Sequence, residues 1–335
     1  MATEQVYAPW TEEGKIRTVG VLTSGGDAPG MNAAIRSVVR SGLHKGYRML
    51  GVRRGFHGLW RGDIIELGAK SVSDKLQRGG TFLMTARSKT FETEAGVRKG
   101  FEMCRVFGMD ALVVIGGDGS FRASRDLQQL GMPVVCIPGT IDNDIGCTDY
   151  TIGYDTAMNT AMEAIDKLRD TASSHERCSV IEVMGRHAGY LALNVGMSCG
   201  AEVILVPEVE MNFDDHVVRR ILDCRNQGKH HYIVVVAEGV GDTADISRRI
   251  QETTGIDSRV SILGHIQRGG GPSIRDRMMA SNMGAWAIDC LEKGRLNRIV
   301  VYREGKIDDL DISEAIGSKK TITAEQLRVA YEIAL

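Results

Sequence analysis

The stretch ALVVIGGDGS, residues 111–120, joins an apolar strand directly to a glycine turn that contains one carboxylate. Glycine lets the backbone adopt positive φ and approach a ligand closely, so successive N–H groups and the start of the following helix can surround a polyphosphate. Mg²⁺ needs only one or two protein carboxylates when phosphate supplies further oxygens, so Asp118 alone is a sufficient protein ligand. The same residues would also suit a plain connection from strand to helix, and this stretch alone leaves both interpretations open.

A second glycine turn predicts a parallel sheet. Residues 16–23 form an apolar strand, residues 24–27 (SGGD) turn the chain, and Pro29 opens a helix whose apolar side chains recur on one face. Two such units that run in the same direction imply parallel strands, and ligands of these sheets bind beyond the carboxyl ends of the strands. We interpret Asp27 as the N-cap of this helix rather than as a ligand.

A third segment carries the candidate chemistry. Residues 133–137 read as a buried strand, and PGTIDND, residues 138–144, follows at its carboxyl end. In an extended stretch, alternation puts Thr140, Asp142 and Asp144 on one side. Two neighbouring carboxylates repel each other, which raises at least one pKa and favours a general base. The alternative is a surface turn rich in Asp and Asn, which we disfavour because a buried strand precedes it and two phosphate-type loops accompany it.

The composition is typical of a soluble enzyme with more than one domain. The 335 residues exceed one ordinary core, and neither the 43% apolar content nor the net charge of −2 indicates a nucleic-acid-binding surface. Seven scattered cysteines without a Cys-x-x-Cys pair support neither disulfides nor zinc. Residues 1–15 lack a signal-peptide pattern and no apolar run could span a membrane, so we expect a cytoplasmic protein with no membrane partner.

Strands and helices alternate along the chain, which predicts an α/β fold of two similar domains with central, mostly parallel sheets flanked by helices. Further strands are predicted at residues 179–183, 202–206, 232–237 and 298–301, and an amphipathic helix at residues 154–169. We expect one domain to contain residues 1–153 plus about 267–316, and the other to contain about 154–266 plus the C-terminal helix.

The second half supplies cations at strand ends and in glycine-rich loops: Arg177, Arg186, Arg259, His265 and Arg268. A guanidinium group binds phosphate through a planar fork, so several converging arginines suit a sugar phosphate. Glu238, at the end of a predicted strand, could accept hydrogen bonds from sugar hydroxyls. Each of these charges could equally be a solvated surface charge, although the glycine context favours a binding role for Arg186 and Arg268.

Six motifs together resemble the family of bacterial ATP-dependent 6-phosphofructokinases. They occur in family order across nearly the whole chain: GVLTSGGDAPGMNAA (20–34), GGTFL (79–83), GGDGS (116–120), PGTIDND (138–144), MGR (184–186) and GHIQRGG (264–270). The resemblance implies a phosphofructokinase-like fold and phosphoryl transfer from MgATP to the 1-hydroxyl of fructose 6-phosphate. It assigns ATP and Mg²⁺ to the first expected domain and the sugar phosphate to the second.

The resemblance also implies roles for individual residues. Asp142 would accept the proton of the sugar hydroxyl, with Thr140 and Asp144 beside it, while Arg87 and Arg186 would stabilise charge on the transferred group. Asp118 would bind the metal. The ATP site would comprise Gly25, Arg87, Ser88, Gly117, Asp118, Gly119 and Ser120. The fructose 6-phosphate site would comprise Thr140, Asp142, Arg177, Met184, Gly185, Arg186, Glu238, Arg259, His265 and Arg268.

Two further implications concern assembly and regulation. In the family, Arg177 and Arg259 enter the pocket of a neighbouring subunit, which implies a homotetramer with shared active sites. The cations of an effector site match Arg36, Arg40, Arg169 and Lys229. Ala69 and Gln227 stand where Arg and Lys are usual, so we expect this effector site to have lost charge.

The identity of the phosphoryl donor follows from two glycines. Pyrophosphate-dependent relatives carry Asp and Lys at the positions of Gly119 and Gly139, and an Asp would crowd and repel the α-phosphate of ATP. We therefore expect ATP as donor. The alternatives are a pyrophosphate-dependent phosphofructokinase, a kinase of the same superfamily acting on NAD or a lipid, and a non-catalytic nucleotide-sensing subunit. The arginines of the second half, with His265 and Glu238, argue against an NAD or lipid kinase.

Overall fold

The structure, a computed structural model, describes residues 15–334, which divide into two compact units. Unit 1 contains residues 15–140, 145–153 and 270–319. Unit 2 contains residues 141–144, 154–269 and 320–334. Each unit has its own sheet and its own apolar core.

The strands of the described residues are, in chain order, β1 (Thr18–Thr23), β2 (Arg48–Val52), β3 (Ile64–Glu66), β4 (Ala111–Gly116), β5 (Val134–Pro138), β6 (Cys178–Val183), β7 (Val203–Leu205), β8 (Tyr232–Ala237), β9 (Ser258–Ile262), β10 (Arg298–Arg303) and β11 (Lys306–Asp311). The α-helices are α1 (Met31–His44), α2 (Gly55–Arg61), α3 (Glu94–Val106), α4 (Asp118–Gln129), α5 (Tyr154–Ser174), α6 (Tyr190–Ser198), α7 (Arg219–Asn226), α8 (Thr243–Thr254), α9 (Ile274–Glu292), α10 (Ile312–Ala315) and α11 (Ala324–Ile333). Short 3₁₀ turns lie at Ala69–Val72, Lys89–Glu92 and Gly264–Arg268, and a π-helical turn lies at Asp214–Val218.

Unit 1 is built on a seven-stranded sheet with the order β11-β10-β5-β4-β1-β2-β3. The five inner strands are parallel, and β3 and β11 pair antiparallel at the two edges. Every residue of β1, β4 and β5 is buried, as expected for parallel strands that helices cover on both faces. The carboxyl ends of these three central strands therefore meet at one edge of the sheet, where the glycine-rich loops begin.

Unit 2 is built on a four-stranded, wholly parallel sheet with the order β7-β8-β6-β9. Apolar residues of β6 and β8 form the centre of its core together with residues of α7 and α8. Strand β9 forms one edge, and its residues alternate between buried, half-buried and exposed positions. The residues that follow β6, β8 and β9 consequently share one edge of this sheet.

The α/β fold with mostly parallel sheets is confirmed, and the differences from prediction are shifted element ends and several additional strands. The first helix begins at Met31 and its N-cap is Gly30, so the interpretation of Asp27 as N-cap is wrong. Gly30 adopts φ of 104°, and a Cβ there would lie 2.7 Å from Ile152 Cγ2, so the turn into the helix requires glycine. The helix predicted at residues 154–169 continues to residue 174. Strands β2, β3, β9 and β11 are not among the predicted strands.

Six of the seven cysteines are buried, and Cys199 is half-buried. All seven are free, and burial raises the pKa of the thiols of Cys104, Cys136 and Cys178 to about 12. A thiol with such a pKa is almost entirely protonated at neutral pH and a poor nucleophile. Among the residues of known structure, no helix combines the length and the apolar character needed to cross a membrane.

A buried carboxylate fastens the β10–β11 hairpin of unit 1 to α9. Asp309 is buried and accepts hydrogen bonds from Trp286 Nε1 at 2.9 Å and from Arg298 Nε at 2.6 Å, and it forms an ion pair with Arg295. Burial raises the pKa of the Asp309 carboxyl, but the hydrogen bonds from Trp286 and Arg298 and the arginine charges outweigh burial and lower the pKa overall. The cluster therefore stabilises the fold only while Asp309 is ionised.

We expect Asp309→Asn to lower the free energy of unfolding at pH 7 by about 2 kcal/mol, because two arginines lose their counter-charge. A depressed folded pKa contributes stability that is present above the unfolded pKa of about 3.9 and lost as pH falls through the folded value. The difference between parent and variant should therefore shrink below about pH 4. Urea unfolding from pH 7 to 3 measures it, with Asp308→Asn on the exposed face as control. Equal effects of the two variants would contradict a special role for Asp309.

Candidate active site

The two glycine turns of unit 1 pack directly against each other. The amide of Ser24 donates to Ile115 O at 2.9 Å, which continues the β1–β4 ladder one residue beyond β1. A Cβ on Gly116 would lie 2.5 Å from both Ser24 O and Ser120 Oγ. Gly25 adopts φ of 85°, and its Cβ position is 3.7 Å from Ser120 Oγ. These loops approach this closely because glycine supplies no side chain at the contact.

The second turn presents the start of α4 to a ligand. Helix α4 begins at Asp118, directly after Gly117, so its free N–H groups lie within the GGDG segment. Ser120 Oγ is buried and has no hydrogen-bond partner among residues 15–334. The Asp118 side chain is half-exposed and its carboxylate lies 2.7 Å from the Arg122 guanidinium, one helical turn on. A buried donor without a partner beside free helical amides suits an anion such as phosphate.

The two glycines expected to select the donor differ in their surroundings. A Cβ on Gly119 would meet no atom within 4 Å. A Cβ on Gly139 would lie 3.1 Å from Ile115 Cγ2 and 3.3 Å from Met31 Cε. A side chain at residue 119 is therefore accommodated by the protein itself, whereas one at residue 139 requires neighbouring apolar side chains to move.

A buried asparagine positions the GGTFL segment of unit 1. Asn32 Nδ2 donates to Arg78 O and Gly79 O, both at 3.1 Å, and Asn32 Oδ1 accepts from the amide of Phe82 at 2.8 Å. Thr85 Oγ1 then donates to Gly25 O at 2.8 Å, which attaches this segment to the first glycine turn. Sequence reasoning missed Asn32, although it lies within the first motif.

Two further predicted ATP ligands follow this segment. The side chain of Arg87 is exposed two residues after Thr85. Ser88 caps a 3₁₀ turn, since its Oγ accepts from the amide of Phe91 at 3.3 Å. Phe91 in turn stacks on Phe56, with ring centroids 4.6 Å apart. Ser88 therefore has a structural role in the turn in addition to any contact with a ligand.

The catalytic candidate segment begins in unit 1 and enters unit 2 after Thr140. Thr140, Asp142 and Asn143 are buried. The backbone bends at residues 141–142, and Asn143 adopts φ of 50°, so the extended conformation predicted beyond Thr140 is wrong. Asn tolerates this left-handed conformation better than most residues, which allows the bend. The Cβ position of Gly117 lies 4.0 Å from Thr140 Cβ, so Thr140 adjoins the second glycine turn.

Unit 2 holds the loop after β6 through two side chains. Gln267 Oε1 accepts from the amide of Met184 at 2.8 Å. Glu238 Oε1 accepts from the amides of Gly185 at 3.2 Å and Arg186 at 2.5 Å. Three consecutive amides are thus satisfied, and Arg186 adopts φ of 58° with its side chain exposed. Glu238 therefore positions the Arg186 backbone, a contact that the sequence did not predict. The sequence also did not identify Gln267 as a residue that positions this loop.

The two arginines expected to serve a neighbouring subunit share one carboxylate. Arg177 Nε lies 2.6 Å from Asp257 Oδ2, and an Arg259 guanidinium nitrogen lies 3.0 Å from Asp257 Oδ1. All three side chains are at least partly exposed. In the same unit, His265 and Arg268 lie in the 3₁₀ turn after β9, with His265 exposed and Arg268 half-buried. Arg177 and Arg259 therefore form a pair of accessible cations at one edge of unit 2.

The predicted effector residues belong to different elements. Arg36 and Arg40 lie on α1 of unit 1. In unit 2, Arg169 on α5 donates to Cys199 O, and Lys229 forms an ion pair with the fully buried carboxylate of Glu202. Ala69 and Gln227, which replace the usual cations, are exposed. The four predicted effector cations are thus divided equally between the two units.

Unit 1 contains Gly25, Arg36, Arg40, Arg87, Ser88, Gly117, Asp118, Gly119, Ser120 and Thr140 of the predicted site residues. Unit 2 contains Asp142, Asp144, Arg169, Arg177, Met184, Gly185, Arg186, Lys229, Glu238, Arg259, His265 and Arg268. Within the described part of the chain, no three His, Cys, Asp or Glu side chains converge as a metal site. A Mg²⁺ carried by phosphate with one carboxylate needs no such cluster.

The chain is similar to known proteins over most of its length. The phosphofructokinase family profile matches residues 18–291. The ATP-dependent 6-phosphofructokinase of Clostridium novyi is 51% identical over 319 residues, which cover 95% of this chain and 98% of the relative. That of Clostridioides difficile is 50% identical over the same coverage. The phosphofructokinase structure from Saccharomyces cerevisiae is 33% identical, with a TM-score of 0.85 over 95% of this chain and 48% of that chain.

A more distant structure shares the fold. The pyrophosphate-dependent phosphofructokinase of Marinobacter aquaeolei is 20% identical, with a TM-score of 0.81 over 95% of this chain and 91% of that chain. Glycine turns at the carboxyl ends of parallel strands, with arginines grouped in a second unit, define a class of α/β phosphate-handling proteins. Within that class, the chain belongs to the phosphofructokinase family.

The open space at Gly119 makes donor selection testable with a single substitution. Gly119→Asp should leave folding intact and lower kcat/KM for ATP by at least about tenfold, through repulsion between the carboxylate and phosphate. Gly119→Asn, of equal size and no charge, is the matched control and should lose far less. Gly139→Lys should instead lower the melting temperature, because its Cβ is crowded. Unchanged ATP kinetics in Gly119→Asp would show that residue 119 does not select the donor.

Proposed function

We propose that this protein is an ATP-dependent 6-phosphofructokinase, which transfers the γ-phosphoryl group of ATP to the 1-hydroxyl of fructose 6-phosphate in glycolysis. The observation that carries the proposal is the near-complete match to curated relatives of that name, at 50–52% identity over 95% of the chain. The comparisons do not favour a pyrophosphate-dependent enzyme or a nucleotide sensor, because the curated relatives are named as ATP-dependent kinases.

The residues of unit 1 suit the donor. The amides of the two glycine turns and the buried Ser120 hydroxyl would bind the phosphates, with Ser88 as a further ATP contact. Arg87 would contact ATP and, with Arg186, stabilise charge on the transferred group. Asp118 would hold Mg²⁺, and it fits this task because its carboxylate is accessible at the start of α4. Mg²⁺ would supply charge neutralisation at the phosphates, and its binding would compete with the Asp118–Arg122 ion pair.

The residues of unit 2 suit the acceptor. Asp142 would accept the proton of the sugar hydroxyl, with Asp144 and, from unit 1, Thr140 orienting it. Arg186, on a loop whose three amides are held by Glu238 and Gln267, would stabilise charge on the transferred group. The remaining acceptor contacts would come from Met184, Gly185, Glu238, His265 and Arg268. Phosphoryl transfer needs mainly positioning and electrostatic stabilisation, which this set of residues supplies.

The proposed assembly brings arginines of one subunit to the active site of another. Arg177 and Arg259 would bind the phosphate of fructose 6-phosphate in the site of a neighbouring subunit. The carboxylate of Asp257 pairs with both arginines and holds them in place. The resemblance to the family supports a homotetramer with shared sites as the assembly. Domain roles follow the units, with ATP in unit 1 and sugar phosphate in unit 2. Free thiols at all seven cysteines suit a reducing compartment, so we propose a cytoplasmic location.

Asp142→Asn tests the catalytic assignment. Removing the proton acceptor should lower kcat by at least about a hundredfold while the KM for fructose 6-phosphate changes little, because the amide keeps the size of the carboxylate. A coupled assay with ATP and fructose 6-phosphate measures both constants. Asp126→Asn, an exposed carboxylate on α4, serves as control. A kcat within a few-fold of the parent would contradict the role of Asp142.

The effector site should respond weakly. Ala69 and Gln227 supply no charge where the family has cations, and Lys229 is already paired with Glu202. We expect ADP and phosphoenolpyruvate to shift the half-saturating fructose 6-phosphate concentration by less than about threefold. Saturation curves with and without each effector measure the shift, and Gln227→Lys should strengthen the response. Strong inhibition of the parent by phosphoenolpyruvate would contradict a weakened site.

A further inference from the structure

After the catalytic candidate segment, the chain returns through unit 1 as residues 145–153, here called the return segment. Thr151 Oγ1 donates to Thr140 O at 2.7 Å, and the amide of Ile152 donates to Pro138 O at 3.0 Å. Gly139 and Ile152 also form a parallel bridge. The return segment therefore pairs with residues 138–140 like a short added strand, and it holds the carbonyl of Thr140.

One buried carboxylate holds both ends of this pairing. Asp276, in the first turn of α9, is completely buried. Its Oδ1 accepts from Tyr150 Oη at 2.6 Å and from the amide of Gly153 at 2.7 Å. These two donors flank Thr151 and Ile152, the residues that pair with 138–140. A single oxygen thus fixes the dipeptide on both sides.

The helix that carries Asp276 is itself firmly placed within unit 1. Ser273 Oγ accepts from the amide of Asp276 at 3.2 Å and caps α9. Further along, α9 packs closely on α1, since Ser37 Oγ donates to Ser281 O at 2.5 Å. The Cβ position of Gly30, between the first glycine turn and α1, is 3.5 Å from Asp276 Cβ. Asp276 therefore stands where α9, the return segment and the start of α1 meet.

We propose that Asp276 is a positioning residue for phosphoryl transfer, a role that rests on the function proposed above. Through Tyr150 and Gly153 it fixes the return segment, and through Thr151 it fixes Thr140, two residues before Asp142. Burying a polar side chain is costly unless hydrogen bonds compensate, so the two short hydrogen bonds to one oxygen hold Asp276 and its donors in a fixed geometry. Small displacements of a reacting group can cost about a hundredfold in rate, so this precision bears on kcat.

The sharpest test removes one donor and keeps the carboxylate. Tyr150→Phe deletes only the hydroxyl that donates to Asp276, and we expect kcat to fall about three- to tenfold with both KM values within about twofold. Tyr302→Phe is the matched control, because Tyr302 packs edge-on against Tyr150 at 6.4 Å between ring centroids. It should retain the parent kcat.

Two substitutions at residue 276 complete the series. Asp276→Ala removes the acceptor of the hydrogen bonds from Tyr150 and Gly153 and should lower kcat by about tenfold or more. Asp276→Asn keeps an oxygen that can accept both, so it should restore most of the activity. Deuterium exchange of the amides of residues 145–153 provides a readout independent of activity. Exchange should be faster in Asp276→Ala and Tyr150→Phe than in the parent or Tyr302→Phe.

The outcomes separate the two proposals. A parent enzyme without activity on fructose 6-phosphate contradicts the proposed function. An active parent whose Tyr150→Phe variant keeps full kcat contradicts the positioning role alone, whether or not Asp276→Ala folds. A purely structural role would lower the melting temperature and speed exchange while leaving kcat per folded molecule unchanged, and that result would likewise overturn the proposal.

Discussion

The parallel ladders of backbone hydrogen bonds continue past the ends of the strands, and the chemistry-bearing loops depend on that continuation. In unit 1 the amide of Ser24 donates to Ile115 O, and the amide of Gly139 is held in the same way by the last residue of β4. In unit 2 the amide of Glu238 donates to Val183 O at 2.9 Å. Because each residue directly after a strand is still bound to the neighbouring strand, the loop leaves the sheet in a fixed direction. Side-chain contacts then only need to refine the path.

The two units carry different features that would suit anionic ligands. Unit 1 offers backbone amides at the start of a helix and keeps side chains small, which suits a polyphosphate that arrives with its own cation. Unit 2 offers guanidinium groups, and the pair formed by Arg177 and Arg259 is held by Asp257. Holding long side chains before the ligand binds reduces the entropy lost on binding. The carboxylate lowers the net charge of the pair, so order is gained at some cost in attraction for phosphate.

Local patterns in the sequence account for the main elements and fail where distant residues meet. Apolar runs that end in glycine turns predicted β1, β4 and β5 to within two residues at either end, because burial on both faces leaves an unmistakable pattern. Asp27 looked like a helix cap, but the left-handed turn at Gly30 depends on packing against Ile152, far along the chain. Gln267 could not be predicted either, because it acts on a backbone amide 83 residues away. The spacing of apolar residues along the chain carries no information about contacts between residues that are far apart in sequence.

Glycines that look alike in the sequence serve different purposes, and geometry separates them. Gly116 is required by the protein itself, since any side chain would collide with the first glycine turn. Gly119 is not, because its φ is not positive and its Cβ position is open. Glycine in a helix destabilises it by up to about 1 kcal/mol relative to alanine, so an unneeded glycine in the first turn of α4 is a cost to the folded chain. The proposed nucleotide site offers a physical reason for this glycine, because a backbone without a side chain would let a phosphate approach the start of α4 closely.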